Sequence, residues 1–255
     1  MEWILIYLAI KYEGNFHAIY NALKNKEFVP ISELEPIRQA LEEGQMHAIT
    51  IVDDDYPENL KSINNPPFVL FYQGNINLLK KPAMMLTGEF SNMLIDKFID
   101  QALNELVYQY VLVNGYFKPL DQRIIQQFLN LNGQMIVVLN QAIDQVNFDF
   151  IEAKQLQNLL ILSEFPSGCH TNRQRIMQRN RLAIGLSESL IIASSYKKSG
   201  IMNLVTYALE QGKEIYCYPG LQTEEDGNNW LIQDGAHLIT SIKAINSGEQ
   251  KDDKQ

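Results

Sequence analysis

From residue 83 onward, short continuous apolar runs alternate with segments of helical periodicity. The apolar runs lie at residues 83–87, 110–113, 134–139, 158–162, 189–194, 213–219 and 236–240, and two more precede them at 46–52 and 68–72. Amphipathic segments lie between the later runs, near 91–108, 120–131, 148–156, 175–185, 202–211 and 227–234. Strands that are apolar on both faces indicate a parallel sheet covered by helices on both sides. With right-handed crossovers, the pattern predicts an extended Rossmann-like, doubly wound, mostly parallel sheet of the α/β class.

The first 45 residues follow a different pattern and predict a short helical segment. Residues 3–13 and 15–25 have helical character, and Ser32 with Glu35 fits a capping box for a third helix. The last residues are polar and predict disorder. The expected division is an N-terminal helical segment at 1–45, a Rossmann-like domain at 46–243 and a disordered tail at 244–255.

Composition limits the partners that such a chain can have. A formal net charge of -9 and a pI near 5.0 argue against a surface that is basic throughout. A local basic site is still compatible, because screening confines opposing surface charges to about 8 Å. Cys169 and Cys217 offer neither a disulfide framework nor metal-ligand spacing, which indicates a reducing cytosol. The apolar first ten residues are too short to span a membrane and have no basic segment before them, so we expect a cytoplasmic protein.

The glycines that follow the predicted strands point to one edge of the sheet. In open parallel sheets, ligands bind outside the carboxyl ends of the strands. Gly88, Gly115, Gly168 and Gly200 each follow a predicted strand there. Each one alone fits an ordinary turn, but together they would let backbone amides approach phosphate oxygens closely.

A basic window lies at the same edge, between Ser163 and Ser187. The 23 positions between Glu164 and Glu188 contain no acidic residue and four arginines, Arg173, Arg175, Arg179 and Arg181. A solvated helix face is the common explanation for such a run, and a loop that holds a polyanion is the functional one. Arg179 and Arg181 are two apart, so a helix points them in different directions. One of them could contact phosphate while the other pairs with Glu164 or Asp144, although we favour phosphate contact for both.

Two familiar cofactor signatures are missing from the sequence. No G-x-G-x-x-G follows any predicted strand, and no P-loop is present. The histidines are scattered and suggest no metal site. We therefore predict no nicotinamide, flavin or metal cofactor.

The basic window also resembles a known family. Ser163–Gly168 followed by Gln178–Ser187 is similar to the SE-x-P-x-G and RNR-I-IAGLS signature of DNA-processing protein A (DprA, also called Smf). Three more family-like blocks occur in the order that the family has them, with Tyr56–Asn75 before this signature and Ser199–Gly220 and Gly227–Ala236 after it. The resemblance covers roughly residues 46–242.

This resemblance implies a function as well as a fold. Members of the family are bacterial cytoplasmic proteins that bind single-stranded DNA, protect incoming strands during natural transformation and help to load the RecA recombinase. They usually form homodimers and are not enzymes. The implied partners are single-stranded DNA, RecA and a second copy of this chain, with no membrane.

Several positions depart from the family pattern. The first glycine loop normally carries an arginine where Glu89 stands here, and the second has Lys118 at its basic position, followed by Asp121. Arg173 corresponds by spacing to a basic residue of the family. The usual aromatic motif before RNR is replaced by residues 174–177.

The predicted nucleic-acid site combines the arginine window with the glycine loops. Its members are Arg173, Arg175, Arg179, Asn180, Arg181, Lys118, Gly88, Gly115, Ser163, Gly168, Ser199 and Gly200. We predict no catalytic residue, since Glu164 and Asp121 have no nearby histidine or nucleophile in sequence and are expected to orient arginines. The cations near Cys169 would lower its pKa. Phe90, Tyr116 and Phe117 could stack bases, but core packing is the more frequent fate of such residues.

Two alternatives remain open at this stage. Rossmann-like folds also host nucleotide phosphoribohydrolases, so an enzyme is conceivable by analogy of fold. Glu89 in place of the expected arginine motivates the other alternative, a diverged member that has lost strong DNA binding and acts mainly as a protein partner.

Overall fold

A single sheet organises the structure, a computed structural model that describes residues 2–116, 119–149, 151–221 and 225–245. Within these ranges the strands are β1 (Ala48–Thr50), β2 (Val69–Gly74), β3 (Ala83–Gly88), β4 (Val111–Asn114), β5 (Met135–Leu139), β6 (Leu159–Ser163), β7 (Ser189–Ser194), β8 (Glu214–Cys217) and β9 (His237–Leu238). Their order across the sheet is β1-β2-β6-β5-β4-β3-β7-β8-β9. The seven strands from β6 across to β9 in this order pair in parallel, whereas β2 runs antiparallel to both β1 and β6. The predicted doubly wound, mostly parallel sheet is confirmed.

Helices connect these strands and cover both faces of the sheet. They are α1 (Glu2–Lys11), α2 (Phe16–Lys24), α3 (Ile31–Glu42), α4 (Glu58–Lys61), α5 (Met93–Leu106), α6 (Pro119–Asn130), α7 (Arg173–Leu186), α8 (Ile201–Glu210) and α9 (Gly227–Gln233). Strand β5 is buried along its whole length, and its side chains alternate between two cores. Ile136 and Val138 pack on the α7 and α8 side, and Met135 and Val137 pack on the α5 and α6 side. This two-sided burial is why the strands are continuous apolar runs.

The order of connections creates a switch point beside β3. The chain proceeds outward from β3 through β4, β5 and β6, and α7 then carries it back to β7 on the opposite side of β3. Connections therefore diverge from the carboxyl ends of β3 and β7. In doubly wound sheets this divergence opens the crevice in which ligands bind.

The N-terminal helices share a core with the sheet. Leu5, Ile6 and Ile19 are buried together with Val69 and Phe71 of β2. The turn between α1 and α2 reaches the β6 loop, where a Cβ on Gly14 would lie 2.4 Å from the Glu164 carbonyl oxygen. The helical segment is thus packed directly against the arginine window.

Two local predictions were wrong. Those residues near 148–156 that the structure describes form no α-helix, and a six-residue 3-10 helix at Ala153–Asn158 instead leads directly into β6. The capping box of Ser32 and Glu35 does not form either. Helix α3 begins at Ile31 with Pro30 as its N-cap residue, and the Glu35 carboxylate instead accepts a hydrogen bond from Arg38 at 2.6 Å.

The predicted tail falls largely outside the described residues, which end at Ile245. Ile242 and Ile245 are buried against the α5 side of the sheet. The Glu105 carboxylate of α5 accepts a hydrogen bond from the Ile242 amide at 2.6 Å. The chain is therefore anchored up to this point.

Candidate nucleic-acid interface

A small cleft opens at the carboxyl ends of β3 and β4. It encloses about 100 Å³, and its walls include Gly88, Glu89, Gly115, Arg179 and Gly200. Three of the four predicted glycine loops and one arginine of the basic window thus meet at one edge of the sheet. Because a drug-sized ligand needs a pocket of about 300 Å³ or more, this cleft suits a group of phosphate size.

Arg179 brings a buried positive charge to the cleft. Its side chain is 4% exposed, and Nη1 donates a hydrogen bond to the Gly115 carbonyl oxygen. Burial lowers the pKa of the guanidinium to about 10, and the Asp121 carboxylate opposes that shift. With this pKa the group stays charged at neutral pH.

Asp121 orients the groups around Arg179. The carboxylate is buried, and its Oδ1 accepts hydrogen bonds from Asn114 Nδ2 at 3.2 Å and from Thr87 Oγ1 at 3.4 Å. Asn114 in turn accepts a hydrogen bond from the Tyr116 amide at 2.8 Å. This network joins the ends of β3 and β4 to the start of α6. The predicted role of Asp121 in orienting an arginine stays a prediction, because these hydrogen bonds come from Asn114 and Thr87.

Arg181 has different surroundings, as expected for two helical residues that are two positions apart. It forms a buried ion pair with Glu164 and donates hydrogen bonds to the carbonyl oxygens of Asn64 and Asn65. Burial raises the pKa of Glu164, and Arg181 opposes the shift. Arg181 does not line the cleft. Its observed contacts tie the segment before β2 to α7.

Asn180 joins the two helices that flank the cleft. It is buried on α7 and lines the cleft, and its Nδ2 donates a hydrogen bond to Asn203 Oδ1 on α8 at 2.8 Å. Its observed contact ties the two helices together.

Arg173 and Arg175 lie in the first turn of α7. The Asn172 side chain caps this helix by accepting a hydrogen bond from the Arg175 amide at 2.9 Å. Arg173 is exposed to solvent. The Arg175 guanidinium forms an ion pair with Glu13 at 2.5 Å and lies over the Phe165 ring, 5.0 Å from its centroid. The Arg175 guanidinium is therefore already paired with a carboxylate of the N-terminal segment.

Ser163 and Gly168 shape the loop that follows β6. Ser163 is fully buried, and its hydroxyl donates a hydrogen bond to the Gln141 carbonyl oxygen at 2.8 Å. Gly168 has a positive φ of +82° and donates its amide to the Asp144 carboxylate at 3.2 Å. The hydrogen bond from Ser167 lowers the pKa of Asp144, and burial opposes this effect.

The glycines of the cleft have two distinct roles. A Cβ on Gly115 would lie 1.7 Å from Arg179 Nη1, and one on Gly88 would lie 2.9 Å from Leu120 Cδ2. These two positions are glycine because side chains pack against them. Gly200 has open space where a Cβ would be, and it directly precedes α8. The hydroxyl of Ser199 accepts a hydrogen bond from the Ile201 amide at 3.3 Å, so it lies at the start of the same helix.

The remaining predicted positions have mixed outcomes. Lys118 and Phe117 lie outside the described residues. Tyr116 is half-buried and packs against Phe148, with ring centroids 5.1 Å apart. The expectation for Cys169 was wrong. Its thiol pKa is raised, because burial outweighs the effect of Arg175.

Sequence reasoning placed Ser199 and Gly200 of the loop after β7 in the site but missed three other residues of that loop. Tyr196, Lys197 and Lys198 are exposed there, and the Tyr196 ring lies 4.8 Å from that of Phe90. The sequence did contain a signal for these residues, because an aromatic residue and two lysines come soon after a buried strand at the ligand edge. No Phe, Tyr or Trp occurs between Phe165 and Tyr196.

The part of the chain that the structure describes has neither a metal-binding cluster nor a membrane-spanning helix. No group of three or more His, Cys, Asp or Glu side chains in this part of the chain is arranged to hold a metal ion. Likewise, the described helices include none that is long and apolar enough to cross a membrane.

A family model for DNA recombination-mediator protein A matches residues 47–249. The chain belongs to this family. The matched range of the recombination-mediator family begins next to β1 and includes every described strand. Helices α1, α2 and α3 precede it.

Curated relatives of this chain are named DprA or Smf, as is the family that the sequence motifs resemble. The chain is 32% identical to DNA processing protein DprA of Streptococcus pneumoniae over 202 residues, which are 76% of this chain and 71% of the relative. It is 30% identical to DNA processing protein DprA of Bacillus subtilis over 235 residues, which are 88% of this chain and 78% of the relative.

Solved structures of DprA proteins share this fold. The X-ray structure of DprA from Streptococcus pneumoniae aligns with a TM-score of 0.74 and 26% identity, covering 91% of this chain and 82% of that one. DNA processing protein A from Helicobacter pylori, whose structure gave insight into a single-stranded DNA binding mode, aligns with a TM-score of 0.69 and 25% identity. That alignment covers 81% of this chain and 97% of the other.

Proposed function

We propose that this protein binds single-stranded DNA along the carboxyl edge of its sheet. The observation that carries the proposal is the buried, charged Arg179 in a phosphate-sized cleft at the switch point. The Helicobacter pylori relative, with its single-stranded DNA binding mode, supports the choice of ligand. Single-strand binders combine a positive groove along the backbone with surfaces on which bases stack.

The arginine window divides into contact residues and positioning residues. Arg173 is exposed at the first turn of α7, where the helix dipole also favours an anion. Arg179 supplies charge to the cleft, and Gly200 offers open backbone at the start of α8. We assign positioning roles to Arg181, Asn180 and Ser163, because each is buried and bonded within the protein.

Electrostatics should make this binding weak and sensitive to salt. The protein has a formal net charge of -9, and Glu89 lines the cleft where the family pattern has an arginine. A small number of phosphate contacts then has to overcome long-range repulsion. The affinity should fall with rising salt to the extent that local Lys and Arg contacts release counterions.

Family membership also supports a proposal for the biological role. We infer that the protein protects incoming single strands during natural transformation and helps to load RecA recombinase on them. In this role it would act in the cytoplasm as a homodimer and carry out no chemical reaction. The enzymatic alternative has little support, because the cleft is small and the carboxylates of Asp121 and Glu164 are both engaged with neighbouring side chains.

A binding titration tests the proposal. Labelled oligo-dT is titrated with wild type, Arg173→Gln and Arg38→Gln at two salt concentrations. Arg38 is an exposed arginine of α3 that pairs with Glu35, so its variant matches the charge change away from the proposed edge. We expect Arg173→Gln to weaken binding and reduce the salt slope by about one, whereas Arg38→Gln should match wild type. Absence of oligo-dT binding by wild type at low salt would refute the proposal.

A second assay separates binding from catalysis. Nucleoside monophosphates are incubated with the wild-type protein, and release of the free base is followed. We expect no release. Turnover that is abolished by Glu164→Gln would instead assign an enzyme.

A further inference from the structure

Phe90 and Tyr196 form an aromatic pair across the switch point of the sheet. Phe90 follows the end of β3 and Tyr196 follows the end of β7, so the two strands on either side of the crevice contribute one ring each. The ring centroids lie 4.8 Å apart with an angle of 33° between the planes. Phe90 packs against the core on the α5 side, and Tyr196 is 41% exposed. A partly buried ring thus supports an exposed one.

The backbone on both sides of this pair is held firmly. The buried Ser194 hydroxyl donates a hydrogen bond to the Phe90 carbonyl oxygen at 2.7 Å and accepts from the Phe90 amide at 3.1 Å. Tyr196 forms a β-bridge with Asp226, and the Lys197 amide donates to the Glu225 carbonyl oxygen at 3.0 Å. Since these contacts already order the loops, stacking of a ligand on the ring should cost little additional conformational entropy.

The charge beside the exposed ring suits a nucleic-acid strand. Lys197 and Lys198 directly follow Tyr196, and both are exposed. The same loop continues to Gly200, which lines the Arg179 cleft. Aromatic faces next to Lys or Arg are what sequence-tolerant single-strand binding requires, because every base has a π-face and every nucleotide has a phosphate.

We propose that the exposed face of Tyr196, supported by Phe90, stacks one base of a bound single strand, with Lys197 and Lys198 on the adjoining phosphates. This inference rests on the proposed function and names a subsite of that ligand edge. It also gives this chain an aromatic contact that residues 174–177 of α7 do not provide.

Base stacking can be separated from phosphate binding by the choice of ligand. Oligo-dT and an abasic oligomer of equal length are titrated with wild type, Tyr196→Ala, Tyr196→Phe and the double variant Lys197→Gln/Lys198→Gln. We expect Tyr196→Ala to weaken oligo-dT binding by about 5- to 150-fold and leave abasic binding unchanged. Tyr196→Phe should retain wild-type affinity, and the lysine variant should weaken both ligands and lower the salt slope by about two.

The outcomes distinguish failure of this inference from failure of the proposed function. If wild type binds neither ligand, the proposed function fails. If wild type binds oligo-dT but Tyr196→Ala binds it equally well, only the stacking inference is overturned. A urea titration of each variant checks folding. Should Tyr196→Ala be unfolded, 2-aminopurine in the oligonucleotide gives an independent measurement on wild type, where stacking quenches its fluorescence and an unchanged signal on binding contradicts the inference.

Discussion

Gly115 and Arg179 are packed so closely that residue 115 has no room for a side chain. The Cβ of an alanine would lie 1.7 Å from Arg179 Nη1, so Gly115→Ala must displace a buried guanidinium. We expect a loss of about 1–3 kcal/mol in the free energy of unfolding, as for other overpacked sites. Urea unfolding measures it. Gly200→Ala is the matched control on the same cleft, because its Cβ meets nothing within 4 Å. Equal stability of the two variants would contradict the packing.

Arg181 and Glu164 form the buried ion pair that secures the segment before β2. Arg181→Met leaves the Glu164 carboxylate buried without its cation, and we expect a loss of about 3–5 kcal/mol in unfolding free energy. Lys61→Met removes an exposed partner from the Lys61–Glu58 pair and should cost less than about 1 kcal/mol. If the two variants lost similar stability in urea, the pair would have no special structural role.

Glu89 should oppose phosphate binding in the cleft. At an effective dielectric constant of about 40, two unit charges about 6 Å apart repel by roughly 1.4 kcal/mol, which corresponds to about tenfold in affinity. Glu89→Gln is therefore expected to tighten oligo-dT binding by about that factor. Glu33→Gln changes the net charge equally at an exposed position of α3 and should have little effect. An unchanged affinity for Glu89→Gln would place the strand outside this cleft.

We expect Glu13 to compete with DNA for Arg175. The ion pair between them is 2.5 Å long, with Glu13 largely exposed, and such pairs are worth about 0.2–1 kcal/mol. We expect Glu13→Gln to release Arg175 and tighten oligo-dT binding by up to about fivefold at low salt. Glu27→Gln, which breaks the Lys11 pair within the N-terminal helices, is the control. Weaker binding by Glu13→Gln would show that the pair holds the loop in its binding shape.

Asp144 should make the β6 loop sensitive to acid. The hydrogen bond from Ser167 lowers the pKa of Asp144 below its ordinary value of 3.8, against the opposing effect of burial. A carboxylate with a lowered folded-state pKa adds stability above its unfolded pKa, and this stability is lost as the pH falls through the folded value. Asp144→Asn should thus unfold at lower urea than wild type at neutral pH. The two midpoints should converge in acid, and a difference that persists there would exclude this titration as its cause.

The sheet could be predicted from the sequence because two-sided burial appears directly as continuous apolar runs, as in β5. Roles within the arginine window could not be assigned in the same way. The two-residue spacing of Arg179 and Arg181 indicates different directions, but only the placement of α7 on the sheet decides which of them pairs with Glu164. The partner of Arg175 is 162 residues away in the chain, a separation that no local pattern encodes.

The antiparallel pairing of β2 with β6 has a consequence for synthesis on the ribosome. Phe71 pairs with Ser163, so β2 has only its β1 neighbour until β6 has been translated. At about 5–20 residues per second, that interval lasts several seconds. During this time an apolar strand has one unpaired edge in the crowded cell, where it can pair with other chains. Binding of a nascent-chain chaperone to Val69–Gly74 would cover this unpaired edge until β6 is available to pair with it.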